Sequence, residues 1–232
     1  MDLLNIFLQI NPTDSLGNPS LISGATESVS LFELALKGGY IMIVLGILAI
    51  IAIYVFVERM TVIKKAQVAP QHLLEKVKTA VLDGDIEMAR AVCLKDGTPM
   101  AKMLIQGLEH IGSSLKNIEV AIENTGKLEL YRLEKNISVL GTISGIGPMI
   151  GFLGTVWGMI QAFISIAQEE GAVSPKLLAS GIYEAMITTA GGLLVGILAY
   201  ITYNYLVRQI SDVVHKMEVT SIEFIDLLQK PN

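Results

Sequence analysis

Residues 177–207 read LLASGIYEAMITTAGGLLVGILAYITYNYLV, an apolar run in which Glu184 is the one acidic or basic side chain. A bilayer core of about 30 Å is crossed by roughly 20 apolar helical residues. The stretch is therefore long enough to span a membrane and to tilt or protrude from it. Two further runs, 38–57 and 136–168, carry no charge. The pattern predicts an all-α membrane protein with three transmembrane helices at 38–57, 136–167 and 177–207. The second and third are expected to continue into a cytoplasmic helical bundle.

Composition agrees with a chain that meets lipid. Of 232 residues, 52% are hydrophobic and 17% charged, which is richer in apolar and poorer in charged side chains than ordinary soluble domains. Net charge is -5 and no basic cluster is large enough to hold a phosphate backbone, which argues against nucleic acid as a partner. Cys93 is the one cysteine and there are three histidines, so neither a disulfide within the chain nor a metal site is expected. The Gly-rich stretches lie inside apolar runs and lack the Gly-Lys-Ser/Thr ending of a phosphate-binding loop. No hydrolase or transferase constellation is present, and the reading is of a protein that is not an enzyme and uses no cofactor. Residues 1–10 are apolar but short and follow no basic region, so they are read as retained rather than as a cleaved signal.

Basic residues near span ends tend to stay on the cytoplasmic side. Arg59, Lys64 and Lys65 follow the first run, Arg132 and Lys135 precede the second, and Arg208 and Lys216 follow the third; only Lys37 and Lys176 lie opposite. The expected topology has a periplasmic N-terminal segment (1–37) with a short interfacial helix at 30–37. A cytoplasmic helical domain (58–135), a periplasmic loop (168–176) and a cytoplasmic C-terminal helix (208–232) complete it. Within the middle domain, Leu73, Leu74, Val77, Val81 and Leu82 recur at helical spacing. Asp83-Gly84-Asp85 breaks the pattern, Ile86, Ala89, Val92 and Cys93 resume it, and Gly97-Thr98-Pro99 breaks it again.

Small residues line up on the long spans. With about 3.6 residues per turn, Gly147, Gly151, Gly154 and Gly158 form one stripe, and Gly181, Ala185, Thr188, Gly192, Gly196 and Ala199 another. Such stripes let helix backbones approach closely in lipid. They serve either to hold one subunit's bundle together or to join neighbouring subunits. Pro148 removes a backbone donor, which predicts a kink or local unwinding near Gly147-Pro148.

Glu184 carries the chemical signal. An ionised carboxylate facing lipid costs several kcal/mol, so such a residue generally faces a bundle interior or a water-filled path. A structural acid bonded to a neighbouring helix, or one reaching back to the surface, is the alternative. Thr155 lies thirteen residues before Gln168 and Thr189 thirteen after Lys176, which puts the two hydroxyls at similar depth. Thr188 lies one turn from Glu184 on nearly the same face. A threonine in a membrane helix also commonly bonds the carbonyl one turn back, and that reading stays open.

The run Gly151-Phe152-Leu153-Gly154-Thr155-Val156-Trp157-Gly158-Met159-Ile160, with Gly181-Ile182-Tyr183-Glu184-Ala185-Met186-Ile187-Thr188-Thr189-Ala190-Gly191-Gly192-Leu193, resembles the paired membrane signatures of the ExbB/TolQ family, relatives of flagellar stators. Gly38-Gly39, Glu58-Arg59 and Gly84-Asp85 are similar to that family's pattern as well. Gly147-Pro148 departs from its usual Ala-Pro. The resemblance, closest to ExbB, implies a bacterial inner-membrane subunit with its N-terminus outside, forming a homopentamer around two copies of a single-span ExbD- or TolR-like partner. It also implies that protons are the coupling ion and that motion passes to a TonB- or TolA-like protein. Glu184 matches the family's pore acid, and Thr155 and Thr189 its pore threonines. Thr188 matches no required family role, and Arg59 marks the inner end of the first span. A TolQ-type envelope subunit, a gliding-type stator and a stand-alone ion channel are the alternatives.

Overall fold

The computed structural model describes residues 38–67, 70–168 and 175–229. Among them the chain is helical throughout: α1 (Gly39–Ala66), α2 (Pro70–Leu82), α3 (Ile86–Asp96), α4 (Pro99–Glu109), α5 (Leu115–Glu134), α6 (Ile137–Gln168) and α7 (Pro175–Gln229). The interfacial helix expected at 30–37, and most of the loop at 168–176, lie outside the described residues.

The short helices begin and end where the sequence chemistry dictates. Asp85 accepts from the Met88 N–H at 2.9 Å and so caps α3. Gly97, at φ 67, closes that helix in the left-handed region, where a β-carbon is disfavoured. Thr98 then caps α4 through the Ala101 N–H, with Pro99 in the first turn. Ser114 caps α5 through Asn117. Between α5 and α6 the helix is interrupted at Asn136, φ 64, a conformation that Asn tolerates better than most residues.

Three helices are long and apolar enough to cross a membrane. Their apolar portions display large side chains outward: Ile43, Ile50 and Tyr54 on α1, Phe152 and Leu153 on α6, Met186, Leu194 and Ile197 on α7. Water would not tolerate that much exposed apolar surface on a single soluble chain. Backbone groups inside a hydrocarbon layer must also be bonded within their own helix, which this architecture achieves.

α7 is one unbroken helix of 55 residues, about 80 Å long at 1.5 Å per residue. The third span expected at 177–207 and the C-terminal helix expected to extend it inward are thus a single rod as far as Gln229. Its far end is the spine of the polar bundle. Phe224 is fully buried among α4 and α5, and a β-carbon on Gly107 would lie 2.6 Å from its Cε1. Met100, Leu104, Ile122, Val213 and Met217 complete this core. Burying one such large side chain contributes about 1.5–3 kcal/mol, so the bundle and the membrane portion are tied together through α7.

α1 likewise runs past residue 57 to Ala66, and Arg59 anchors its far end. The guanidinium is buried, bonds Glu58, and donates from Nη1 to the Arg132 carbonyl at 3.1 Å. That carbonyl belongs to the last turn of α5, whose acceptors have no partner within the helix. Next to it Glu129 is buried and paired with Lys102 at 2.9 Å and with Arg132, as a desolvated carboxylate must be.

Candidate functional site

The membrane portion is organised around the contact of α6 with α7, the most extensive in the molecule. Every glycine of the two predicted stripes lies in it. A β-carbon on Gly192 would meet Gly147 O at 2.6 Å and Gly151 Cα at 2.7 Å; one on Gly181 would meet Ala162 Cβ at 2.6 Å; one on Gly158 would meet Ala185 Cβ at 3.0 Å. Gly147, Gly151, Gly154 and Gly196 are packed in the same way. Of the two uses left open for the stripes, the structure assigns them to packing within one chain.

Pro148 belongs to this seam. α6 continues as helix through it, so the local unwinding expected there does not occur. Its ring abuts Gly196, whose missing β-carbon would lie 2.6 Å from Pro148 Cδ. The carbonyl that Pro148 cannot bond, that of Ser144, faces the same glycine. Close packing against α7 holds the segment helical where the lost hydrogen bond would otherwise loosen it.

The three threonines divide. Thr188 is buried inside the seam, where its hydroxyl donates to the Ala185 carbonyl at 2.8 Å and fills the space left by Gly154. Thr189, half-buried at the seam's edge, donates across to the Gly151 carbonyl of α6 at 3.0 Å. In a helix that carbonyl is also the acceptor for the N–H of residue 155, so the Thr155 backbone N–H and the Thr189 hydroxyl meet at one acceptor. Thr155 is half-buried and donates to Phe152 O at 2.6 Å. Each hydroxyl has given its proton to a backbone carbonyl and keeps oxygen lone pairs with which to accept another.

Glu184 stands on the other side. Five residues separate it from Thr189, about 140° around the helix, whereas Gly191 and Thr202 share its face. That is the face α1 covers: Gly191 meets Met42 and Leu45, and Thr202 lines an apolar cavity with Ala49, Ala52 and Phe56. Thr155 and Thr189 therefore occupy the flank of the α6–α7 pair that α1 leaves open, while Glu184 projects toward the Gly39 end of α1. Its side chain is exposed in the single chain. A β-carbon on Gly39 would lie 2.4 Å from its Oε1. The cavity farther along this face measures about 110 Å3 and, Thr202 apart, is lined by apolar side chains, so it offers no hydrogen-bonded relay leading away from Glu184.

Arg59 is remote from these groups and acts as a clamp at the other end of α1. Among the described residues no three His, Cys, Asp or Glu side chains gather to hold a metal ion. Sequence reasoning missed the Gly39–Glu184 contact and the buried Glu129. The unusual pair Gly38-Gly39 at the start of an apolar run was the available signal for the first.

A profile of the MotA/TolQ/ExbB proton channel family matches residues 95–219, which take in all of α4, α5 and α6 and most of α7. The chain belongs to the MotA/TolQ/ExbB proton channel family. It is 30% identical over 185 residues, 78% of this chain and 72% of the relative, to the biopolymer transport protein ExbB-like 1 of Synechocystis sp.. Over 191 residues, 82% of this chain and 67% of the relative, it is 25% identical to an ExbB homolog of Methanothermobacter thermautotrophicus. The biopolymer transport protein ExbB of Salmonella typhimurium is 38% identical over 99 residues, 38% of each chain. For a MotA/TolQ/ExbB protein, the seam of α6 with α7 is the part of this fold where membrane-embedded polar groups collect.

Proposed function

We propose that this chain is the channel subunit of a proton-driven inner-membrane motor of the ExbB–ExbD type, energising TonB-dependent transport at the outer membrane. One observation carries the reading. In a member of a proton channel family, the long spans hold a single acid, Glu184, and the flank left open by α1 carries two hydroxyls, of Thr155 and Thr189, each bonded to a carbonyl of α6. The ExbB names of the relatives favour this service over the Tol-type one.

Five copies would set the Thr155–Thr189 flanks around two single-span partners, with N-termini periplasmic and the polar bundle cytoplasmic. An acid on the partner carries the proton. Protonation removes the cost of moving that acid past apolar walls, and the threonine oxygens accept from it as it passes. Glu184, near the periplasmic ends of the spans, regulates entry and does not carry the whole cycle, because no second acid lies on the long spans.

The test is co-purification followed by function in a strain that depends on the system. A five-to-two complex with a single-span partner is expected. Glu184→Gln and Thr155→Ala should assemble normally and fail to support gradient-dependent uptake. Full uptake by both assembled variants would defeat the reading, and proton conduction by the chain without any partner would favour a stand-alone channel.

A further inference from the structure

α1 begins in an unusual way for the end of a helix that crosses a membrane. Its N-cap is Gly38, which supplies no side-chain cap, and its first turn holds no acidic residue. The first four N–H groups of a helix have no partner within it, and their positive end attracts a carboxylate. Here the nearby carboxylate comes from a different helix. Glu184 of α7 lies against the first residue of α1, and the space it occupies exists because position 39 has no side chain: a β-carbon there would be 2.4 Å from Oε1. Gly39 also has φ +63, a conformation that turns the chain into the helix and that L side chains disfavour.

We propose that Gly39 is the positioning residue for Glu184, and that the N-terminal end of the first span forms one wall of the acid's site. Without that wall the side chain, exposed in the single chain, is free to adopt several rotamers. With it, the carboxylate is held on the α1 side of the α6–α7 pair. The first span is then part of the proton site as well as an anchor, and changes in Glu184 charge are felt at its contact with α1. This inference rests on the proposed function, in which Glu184 acts on proton entry.

The experiment uses the complex of the full chain with its partner in liposomes, and gradient-driven proton flux as the readout. Gly39→Ala is expected to lower flux at least tenfold in complexes that assemble normally. Gly46→Ala, on the same helix but with open space around it, should leave flux unchanged. Backbone strain at position 39 would also impair Gly39→Ala, so the deciding variant is the double substitution Gly39→Ala with Glu184→Asp. Shortening the acid by one methylene withdraws it by about 1.5 Å, enough to clear the new methyl, while leaving any backbone strain in place. Flux in the double variant should recover at least threefold over Gly39→Ala alone, even though Glu184→Asp by itself is expected to conduct less than the wild type. A double variant no better than Gly39→Ala, or a Gly39→Ala complex with wild-type flux, overturns the proposal. Wild-type flux in Glu184→Gln, by contrast, would remove the functional reading on which it stands.

Discussion

Replacing Gly192 by alanine tests the α6–α7 seam at its tightest point. The added carbon would sit 2.6 Å from Gly147 O and 2.7 Å from Gly151 Cα. Both are backbone atoms of a helix, so no side chain can swing away. Restoring an ordinary contact requires the helices to part by about 0.8 Å. A gap of that size forfeits roughly a quarter to a half of the dispersion energy of contacts along the seam. It also stretches the Thr189 bond to Gly151 O, now 3.0 Å, toward breaking. Overpacking of this kind costs about 1–3 kcal/mol, and an interhelical hydrogen bond in a membrane adds about 0.6–1.7 kcal/mol. Together they predict a loss of about 2–5 kcal/mol. Unfolding in bicelles, followed by denaturant titration, measures it. Gly145→Ala on α6 is the matched control, because its β-carbon would meet nothing within 4 Å; it should be neutral or slightly stabilising. If the two variants unfold alike, the seam is not built as described.

Other expectations follow from the same geometry. Thr189→Val should lower gradient-driven proton flux while Thr188→Val leaves it near wild type, since the Thr188 hydroxyl is enclosed in the seam and bonded to its own helix. Flux measured in both, at equal assembly, reads the difference. Arg59→Ala should destabilise the chain by about 1–3 kcal/mol through the freed Arg132 carbonyl, seen as an earlier thermal transition; Arg59→Lys should not restore it, because a single ammonium cannot reproduce the guanidinium fork. Cys93 is buried, and burial pushes its thiol up to about 12. The thiolate is the reactive form, so maleimide labelling at pH 8 should be roughly a thousandfold slower than for an exposed thiol and should become rapid on unfolding.

The course of the chain was legible because apolar runs, caps and breakers are local signals. Asp85, Gly97, Thr98 and Pro99 each act within a turn of their own position, and the bundle helices start and stop beside them. The continuity of α7 was legible as well, because Ile210, Val213, Val214 and Met217 keep helical spacing beyond the apolar run. Arg208 and Asp212 mark where apolar side chains give way to polar ones, yet that change in surroundings does not interrupt the helix. The glycine stripes announced a close helix contact but not with which helix, since a stripe fits a partner from its own chain or another equally well. Counting residues could place Thr155 and Thr189 at comparable depth, with Glu184 a turn or more nearer the outside. Their separation onto two flanks depends on where α1 packs, and no periodicity within α7 reveals that. The Arg59, Glu129 and Lys102 cluster is likewise assembled from residues far apart in sequence.

The proposed role of Glu184, regulating a proton path completed by a partner subunit, is tested most directly by proton flux in liposomes containing the co-purified complex, under an imposed gradient, for the wild type and for Glu184→Gln. Flux that falls at least tenfold in an intact Glu184→Gln complex is the predicted result. Equal flux in the two assembled complexes would contradict the account.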